Sequence, residues 1–197
     1  MRKYFWQVVT TVGLALALAL PVAASDIFFP GGALETAVSN SCTRTVNVGT
    51  NHRYTTMDCT QTGTQAFTLM GMVNPDANTT FQIHIWWHTT SASASNVCWN
   101  VANAVCTTGV STCDWDAITP TNTTATNPTQ NIGANALMKS SFTGSATLYR
   151  DTLLADCTGT NCAGFPFVIK VDRDNSGSCT SNLAATAKVT GIRVEFL

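Results

Sequence analysis

Charge is what this sequence has least of. Only 11% of its 197 residues are Asp, Glu, Lys or Arg, less than half of the roughly 25% usual in globular proteins. Glutamate occurs only as Glu35 and Glu195. So few Glu, Lys and Arg cannot build a coiled coil or a helical bundle with a charged outer face. The formal net charge is -1, which leaves no basic field for gripping phosphates and excludes nucleic acid as a partner. C-x-x-C and C-x-x-C-H are both missing, so a zinc knuckle and covalent haem lack their usual spacing. G-x-S-x-G is missing too, and with three histidines a Ser–His–Asp triad has no local support. Disorder is excluded from the opposite side, because 45% of the residues are hydrophobic.

What the chain does have begins with an address. In Met1–Ser25, Arg2 and Lys3 precede an apolar stretch from Val8 to Leu20, and Pro21 is followed by the small residues Val22, Ala23, Ala24 and Ser25. This pattern predicts a signal peptide over residues 1–25, cleaved after Ala24 or Ser25. A retained membrane anchor is the alternative, but the stretch is shorter than the ~20 residues a spanning helix needs. No later segment is long and apolar enough to span. The expected mature protein is secreted, extracellular or periplasmic, and not attached to a membrane. Polarity comes mainly from hydroxyls and amides, with threonine alone supplying 33 residues of the full sequence.

Eight cysteines follow the signal segment: Cys42, Cys59, Cys98, Cys106, Cys113, Cys157, Cys162 and Cys179. An even number in an oxidising compartment predicts four disulfides. Eight cysteines allow about 105 pairings, so spacing ranks the choices without settling them. Cys106 with Cys113 and Cys157 with Cys162 each enclose a short turn. Cys42 and Cys59 bracket Gly49, Asn51 and His52 as a hairpin would. Cys98 and Cys179 remain as a long-range tie.

The rest of the pattern is strand and turn. Asp26–Asn40 reads as a leader with Pro30, Gly31 and Gly32, lying across the surface or pairing at an edge. Short strands are expected at 44–48, 54–59 and 65–73, with a turn at Asn74-Pro75-Asp76. In Phe81–His88, FQIHIWWH, strict alternation puts Phe81, Ile83, Ile85 and Trp87 on one face and Gln82, His84, Trp86 and His88 on the other. Val97–Val101 alternates with Val97, Trp99 and Val101 inward, and Trp87 and Trp99 are assigned to the core. Thr119–Gln130 reads as a long polar loop, Ala134–Lys139 as at most a turn of helix, and 143–149 as a weak strand. Phe165–Val171 is a strand. Ala187–Phe196 closes the fold, with Val189, Ile192, Val194 and Phe196 inward and a bulge at Gly191. About eight strands with turns at short intervals predict an all-β chain. The expected architecture is a single antiparallel β-sandwich over residues 41–197, jelly-roll-like and disulfide-stapled, preceded by the leader 26–40.

The order of these pieces is an apolar strand, the Asn-Pro-Asp turn, and the strand ending in Trp87-His88-Thr89-Thr90. A small-residue loop, Val97-Cys98-Trp99 and a long polar segment follow, then Ile169–Asp174 and Gly191–Phe196. That order resembles small jelly-roll-type domains of exported bacterial, phage and environmental proteins. The resemblance spans Gln65–Phe196 and implies fold only, since it carries no catalytic residue set. Dense cysteines depart from its usual pattern.

Four constellations could carry chemistry. Trp86 with His84, His88 and Gln82 could form a sugar platform, the indole stacking on a pyranose and the polar groups bonding its hydroxyls. The two histidines lie four residues apart in a strand, about 13 Å, too far to share one metal ion. Asp172-Arg173-Asp174-Asn175-Ser176-Gly177 has the form of the first half of a calcium loop, with Asp172, Asp174 and Ser176 as ligands. Position twelve is Leu183 where an EF-hand needs Glu, so a polar turn is the competing reading. Asp114, Asp116, Asp151 and Asp156 are the carboxylates available for glycoside hydrolysis. Asn78-Thr-Thr and Asn122-Thr-Thr match the N-glycosylation pattern. The resulting expectation is a non-enzymatic extracellular protein, either binding glycan or another surface or self-associating into a matrix or filament. A secreted polysaccharide-active hydrolase is the alternative.

Overall fold

The computed structural model describes residues 26–37, 40–62, 65–73, 80–105, 121–125, 128–141, 146–147, 165–175 and 179–196. The expected signal segment and Cys106, Cys113, Cys157 and Cys162 lie outside them. So do Asn78, Asp114, Asp116, Asp151, Asp156 and Ser176. Among the described residues the chain is all strand apart from one turn of 3-10 helix at Gly31–Ala33. In chain order the first strands are β1 Asp26–Pro30, β2 Glu35–Thr36, β3 Thr43–Val48, β4 Arg53–Cys59 and β5 Ala66–Val73. Next come β6 Thr80–His88, β7 Asn96–Val97, β8 Trp99–Val105, β9 Thr121–Ala125 and β10 Thr129–Gln130. The last are β11 Met138–Ser141, β12 Ala146–Thr147, β13 Phe165–Arg173 and β14 Ala187–Phe196.

The named strand pairs are antiparallel and form two main sheets. The larger runs β11-β6-β14-β4-β3, with β1 also on β14 and β12 also on β6; the smaller runs β2-β5-β13-β8-β9. Strands β7 and β10 make a separate short ribbon. Successive strands β4, β5, β6 and β8 alternate between the two sheets. Then β13 returns between β5 and β8, and β14 returns between β4 and β6. This is jelly-roll winding, in which the last two long strands each fill the middle of a sheet.

Alternation explains what lies between the sheets. Ile83, Ile85 and Trp87 of β6 and Val189, Ile192 and Val194 of β14 are buried. They meet Phe67 and Leu69 of β5, Trp99 and Val101 of β8, and Ile169 and Val171 of β13 in one core. Each such side chain contributes about 1.5–3 kcal/mol on full burial. The Trp87 indole donates to Ser140 Oγ at 2.9 Å, and that hydroxyl donates to Thr129 Oγ1 at 2.8 Å, so its polar edge is satisfied inside the core. Arg173 is also fully buried. Its guanidinium donates to the carbonyls of Cys59 and Ala185 at 2.7 and 2.9 Å, and to that of Leu183. Burial pushes its pKa down to about 10, which still leaves it charged at neutral pH.

Several local expectations change. The segment 119–130 is not one loop: β9 pairs with β8 and β10 with β7, because threonine's β-branched side chain suits an extended strand as well as a polar turn. Residues 134–139 form a turn leading into β11 rather than helix, since pairing with β6 outweighs local propensity. The run Val97–Val101 is broken at Cys98 into β7 and β8. The bulge expected at Gly191 is present, between Val189 and Gly191. The leader 26–40 takes one of its two expected places, pairing at sheet edges, and supplies one strand to each sheet, β1 against β14 and β2 against β5. Gly31 makes that crossing possible, because a methyl group there would collide with the carbonyl oxygen of Thr55.

Disulfides join Cys42 to Cys59 across the β3–β4 hairpin and Cys98 to Cys179 across 81 residues. The second closes a loop long enough to remove about 4 kcal/mol of chain entropy from the unfolded state. Replacing Cys98 and Cys179 together by serine should therefore lower the unfolding free energy by about 4 kcal/mol in denaturant titration. A second expectation concerns the crossing glycines. Gly31→Ala should cost on the order of 2 kcal/mol. Gly32→Ala, whose added methyl comes no nearer than 3.7 Å to Thr55 Cβ, should leave the thermal midpoint almost unchanged.

Candidate functional site

Among the described residues, the outer face of the larger sheet carries the aromatic side chains of Phe28, Tyr54 and Trp86, which do not enter the core. Strand β6 places His84, Trp86 and His88 on this face, because Ile83, Ile85 and Trp87 occupy the inner one. Neighbouring strands then decide what each meets. Trp86 lies opposite Gly191 of β14 on one side and Lys139 of β11 on the other. With no side chain at Gly191, the Phe28 ring of β1 settles over that position. An added Cβ would lie 2.6 Å from Phe28 Cζ. Phe28 and Trp86 meet with centroids 6.0 Å apart at an interplanar angle of 62°, not stacked face to face. Trp86 is half-buried as a result, while Phe28 remains 59% exposed.

His84 is far less accessible than an outer-face residue usually is. It is buried, with Nδ1 2.8 Å from Ser141 Oγ on β11 and Nε2 3.1 Å from Glu195 Oε2 on β14. Arg193 approaches Glu195 at 3.5 Å, and its Nε donates to Asp26 Oδ2 at 3.0 Å. A polar chain thus crosses four strands, from Ser141 through His84, Glu195 and Arg193 to Asp26. Its effect is to fix the imidazole 6.1 Å from the Trp86 ring. Gln82 is half-buried and lies opposite Glu195 in the same ladder.

A second aromatic group adjoins the first. His88 is 6.3 Å from Tyr54, and Tyr54 is 6.4 Å from His52. These three residues, with Asn135, Leu137 and Thr190, line an open groove of about 330 Å³. Burial holds the His88 pKa below its ordinary value; the charge of Lys188 adds to this and that of Asp58 opposes it. The imidazole is therefore neutral at pH 7, and its buried Nδ1 has no hydrogen-bond partner among the described residues. Lys188 itself is committed to Asp58 at 3.2 Å and to Asn47 Oδ1 at 3.3 Å.

The residues singled out from the sequence fall into two places. His84, Trp86, His88 and Gln82 share this face. Asp172 and Asp174 belong to the smaller sheet and its exit. Asp172 sits within β13, paired to Lys170 at 3.1 Å, so the six-residue motif starts in a ladder and not in a loop. Among the described residues no group of three or more His, Cys, Asp or Glu could hold a metal ion. Sequence reasoning missed Phe28, His52, Tyr54, Asn135, Leu137 and Thr190. Alternation through Arg53–Cys59 could have placed Tyr54 on the face of Thr56 and Asp58. Nothing local marks Phe28, whose position depends on pairing across most of the chain.

Fold and face together define a disulfide-bonded antiparallel jelly-roll sandwich with an aromatic, polar-lined outer sheet. No protein-family model matches the chain, and no curated protein matches it. Among solved structures it is similar to the CBM36-1 domain of a multidomain xylanase from the hindgut metagenome of Trinervitermes trinervoides. That likeness has 6% sequence identity and a TM-score of 0.40, and covers 86% of this chain and 96% of that one.

The depressed pKa of His88 has a consequence for stability. The unfolded chain takes up a proton near pH 6.5 while the folded site still resists it, so stability is present above that pH and is lost as pH falls. Thermal melts between pH 7.5 and 5.5 should show a steeper loss for the wild type than for His88→Gln. Equal slopes would assign the pH dependence to other groups.

Proposed function

We propose that this protein is a secreted, non-catalytic glycan-binding β-sandwich whose binding face is the outer side of the larger sheet. The observation that carries this reading is a pair of ring groups on one sheet face, Phe28 with Trp86 and His84, and His88 with Tyr54 and His52, the second lining an open groove. Aromatic rings offer an apolar surface to the C–H faces of a pyranose. His52, Gln82, Asn135 and Thr190 offer donors and acceptors at the rim for its hydroxyls, while His84, buried and bonded to Ser141 and Glu195, supports the Trp86 ring. Strands supply most of these groups, His52 and Asn135 coming from turns, which suits a preformed site. Two disulfides fit an oxidising compartment, and export by residues 1–25 would place the protein outside the cell or in the periplasm.

A glycan array probed with the mature protein and with Trp86→Ala tests this directly. The wild type should be retained on at least one neutral glycan. Trp86→Ala should lose about tenfold in affinity, the size expected when roughly 1.4 kcal/mol of ring contact is removed. Absence of retention on every glycan would refute the reading.

A further inference from the structure

Strand β3 ends the larger sheet, with β4 on one side and no strand on the other among the described residues. Its hairpin decides which backbone groups are left open. Gly49 N–H donates to the His52 carbonyl at 3.0 Å, so these two form a hydrogen-bonded pair. Alternation along the ladder then points the N–H and C=O of Thr43, Thr45 and Asn47 at β4, and those of Arg44, Val46 and Val48 outward. Cys42 has the same outward setting, and its N–H already donates to the Ala66 carbonyl at 2.8 Å. Further along, the outward groups of Val46 and Val48 meet no partner among the described residues.

The side chains add to this opening. Val46 and Val48 are 60% and 70% exposed, although they share a face with the buried Met57 of β4. Arg44 closes the near end of that face, donating to the Leu34 carbonyl and pairing with Glu35 at 3.1 Å. Natural edge strands are guarded by proline, lysine, a bulge or very short length. The other sheet ends here follow that rule: β2 and β12 are two residues long, β9 carries a register shift, β11 carries Lys139 and β1 closes on Pro30. Strand β3 has six residues, none of them proline or lysine, and pairs with β4 without a register shift.

We infer that β3 pairs antiparallel with β3 of a second copy of this chain, about a two-fold axis at Asn47. In this register Val46 lies opposite the second copy's Val48 and Val48 opposite its Val46, and each pair exchanges two backbone hydrogen bonds through the outward groups. The edge is its own complement. Valines from both copies lie side by side on one face, and Asn47 meets Asn47 on the other. Like charges are kept apart. Arg44 falls opposite Thr50, and Lys188, which reaches Asn47, is held by Asp58. The Arg53 side chains, beside Val48 on β4, are three strand spacings apart, about 14 Å, beyond the ~10 Å screening length. So short an edge buries less than the ~1,200 Å² of a stable interface, and the dimer is a weak one with a micromolar dissociation constant. It joins the two outer faces into one surface carrying both aromatic grooves. The pairing does not depend on the glycan-binding reading.

The experiment is sedimentation velocity on the mature protein from roughly 1 to 500 µM, a range that spans the expected dissociation constant. The wild type should pass from monomer to dimer as concentration rises. Val46→Lys should weaken dimerisation about tenfold or more, with circular dichroism unchanged. Cysteine trapping reads the register without relying on that variant. At the axis, a non-hydrogen-bonded pair sets its Cα atoms about 4.5 Å apart, within disulfide reach. Asn47→Cys should therefore form a covalent dimer under mild oxidation, above the wild-type background. Val46→Cys, whose two copies lie roughly 8 Å apart across the seam, should not. A wild type that stays monomeric throughout would overturn the pairing. So would a dimer that is indifferent to Val46→Lys and not trapped by Asn47→Cys. Trapping by Val46→Cys and not by Asn47→Cys would overturn the register.

Discussion

Strand β14 is the constraint on which the molecule depends. One edge of it pairs with β6 along nearly its full length. The other edge is shared, with β4 beside Ala187–Val189 and β1 beside Gly191–Glu195. The handover happens at the bulge between Val189 and Gly191, where an extra residue turns the strand and lets one neighbour give way to the next. Inner side chains Val189, Ile192 and Val194 anchor the core. Above the same stretch the bare backbone of Gly191 admits the Phe28 ring against Trp86. Core, sheet order and outer face are therefore coupled through ten residues.

A chain with little charge uses its ions sparingly and at specific places. Outside, Lys188, Asp58 and Asn47 lock β14, β4 and β3 together and cover Thr56, which donates to Asp58 Oδ1 at 2.6 Å and accepts from Asn47 Nδ2 at 2.8 Å. The Lys188–Asp58 pair is half-buried, so the cost of desolvating both charges offsets part of their attraction. Inside, Arg173 ties the end of β4 to the segment before β14 through backbone carbonyls. Removing it would leave those acceptors buried without donors, each at a cost of about 1–3 kcal/mol.

The parts legible in the sequence were those with a short-range signature. Alternation in FQIHIWWH separated Ile83, Ile85 and Trp87 from His84, Trp86 and His88, and the structure keeps that division. Alternation near the C-terminus likewise identified Val189, Ile192 and Val194. What stayed hidden depends on distant partners. Thr121–Ala125 has the composition of a loop and becomes a strand because β8 offers it a ladder. Asp26–Pro30 has no pattern of its own and is ordered by β14. The candidate site divides the same way. Its β6 residues were visible from period two, whereas Phe28 and the groove residues Asn135 and Leu137 come together only through tertiary pairing. His84 was expected on an outer face and is there, yet its burial by Ser141 and Glu195 requires knowing which strands flank β6.

The central claim is that the outer face of the larger sheet, and not the smaller sheet or a loop, is where this protein meets its ligand. Nuclear magnetic resonance during titration with a retained glycan tests it most directly, by following indole and imidazole protons residue by residue. The account predicts that the Trp86 indole and the His88 ring shift progressively to saturation while the Trp87 and Trp99 indoles stay in place. Saturable shifts confined to residues of β5, β8 or β13, with Trp86 and His88 unmoved, would contradict it.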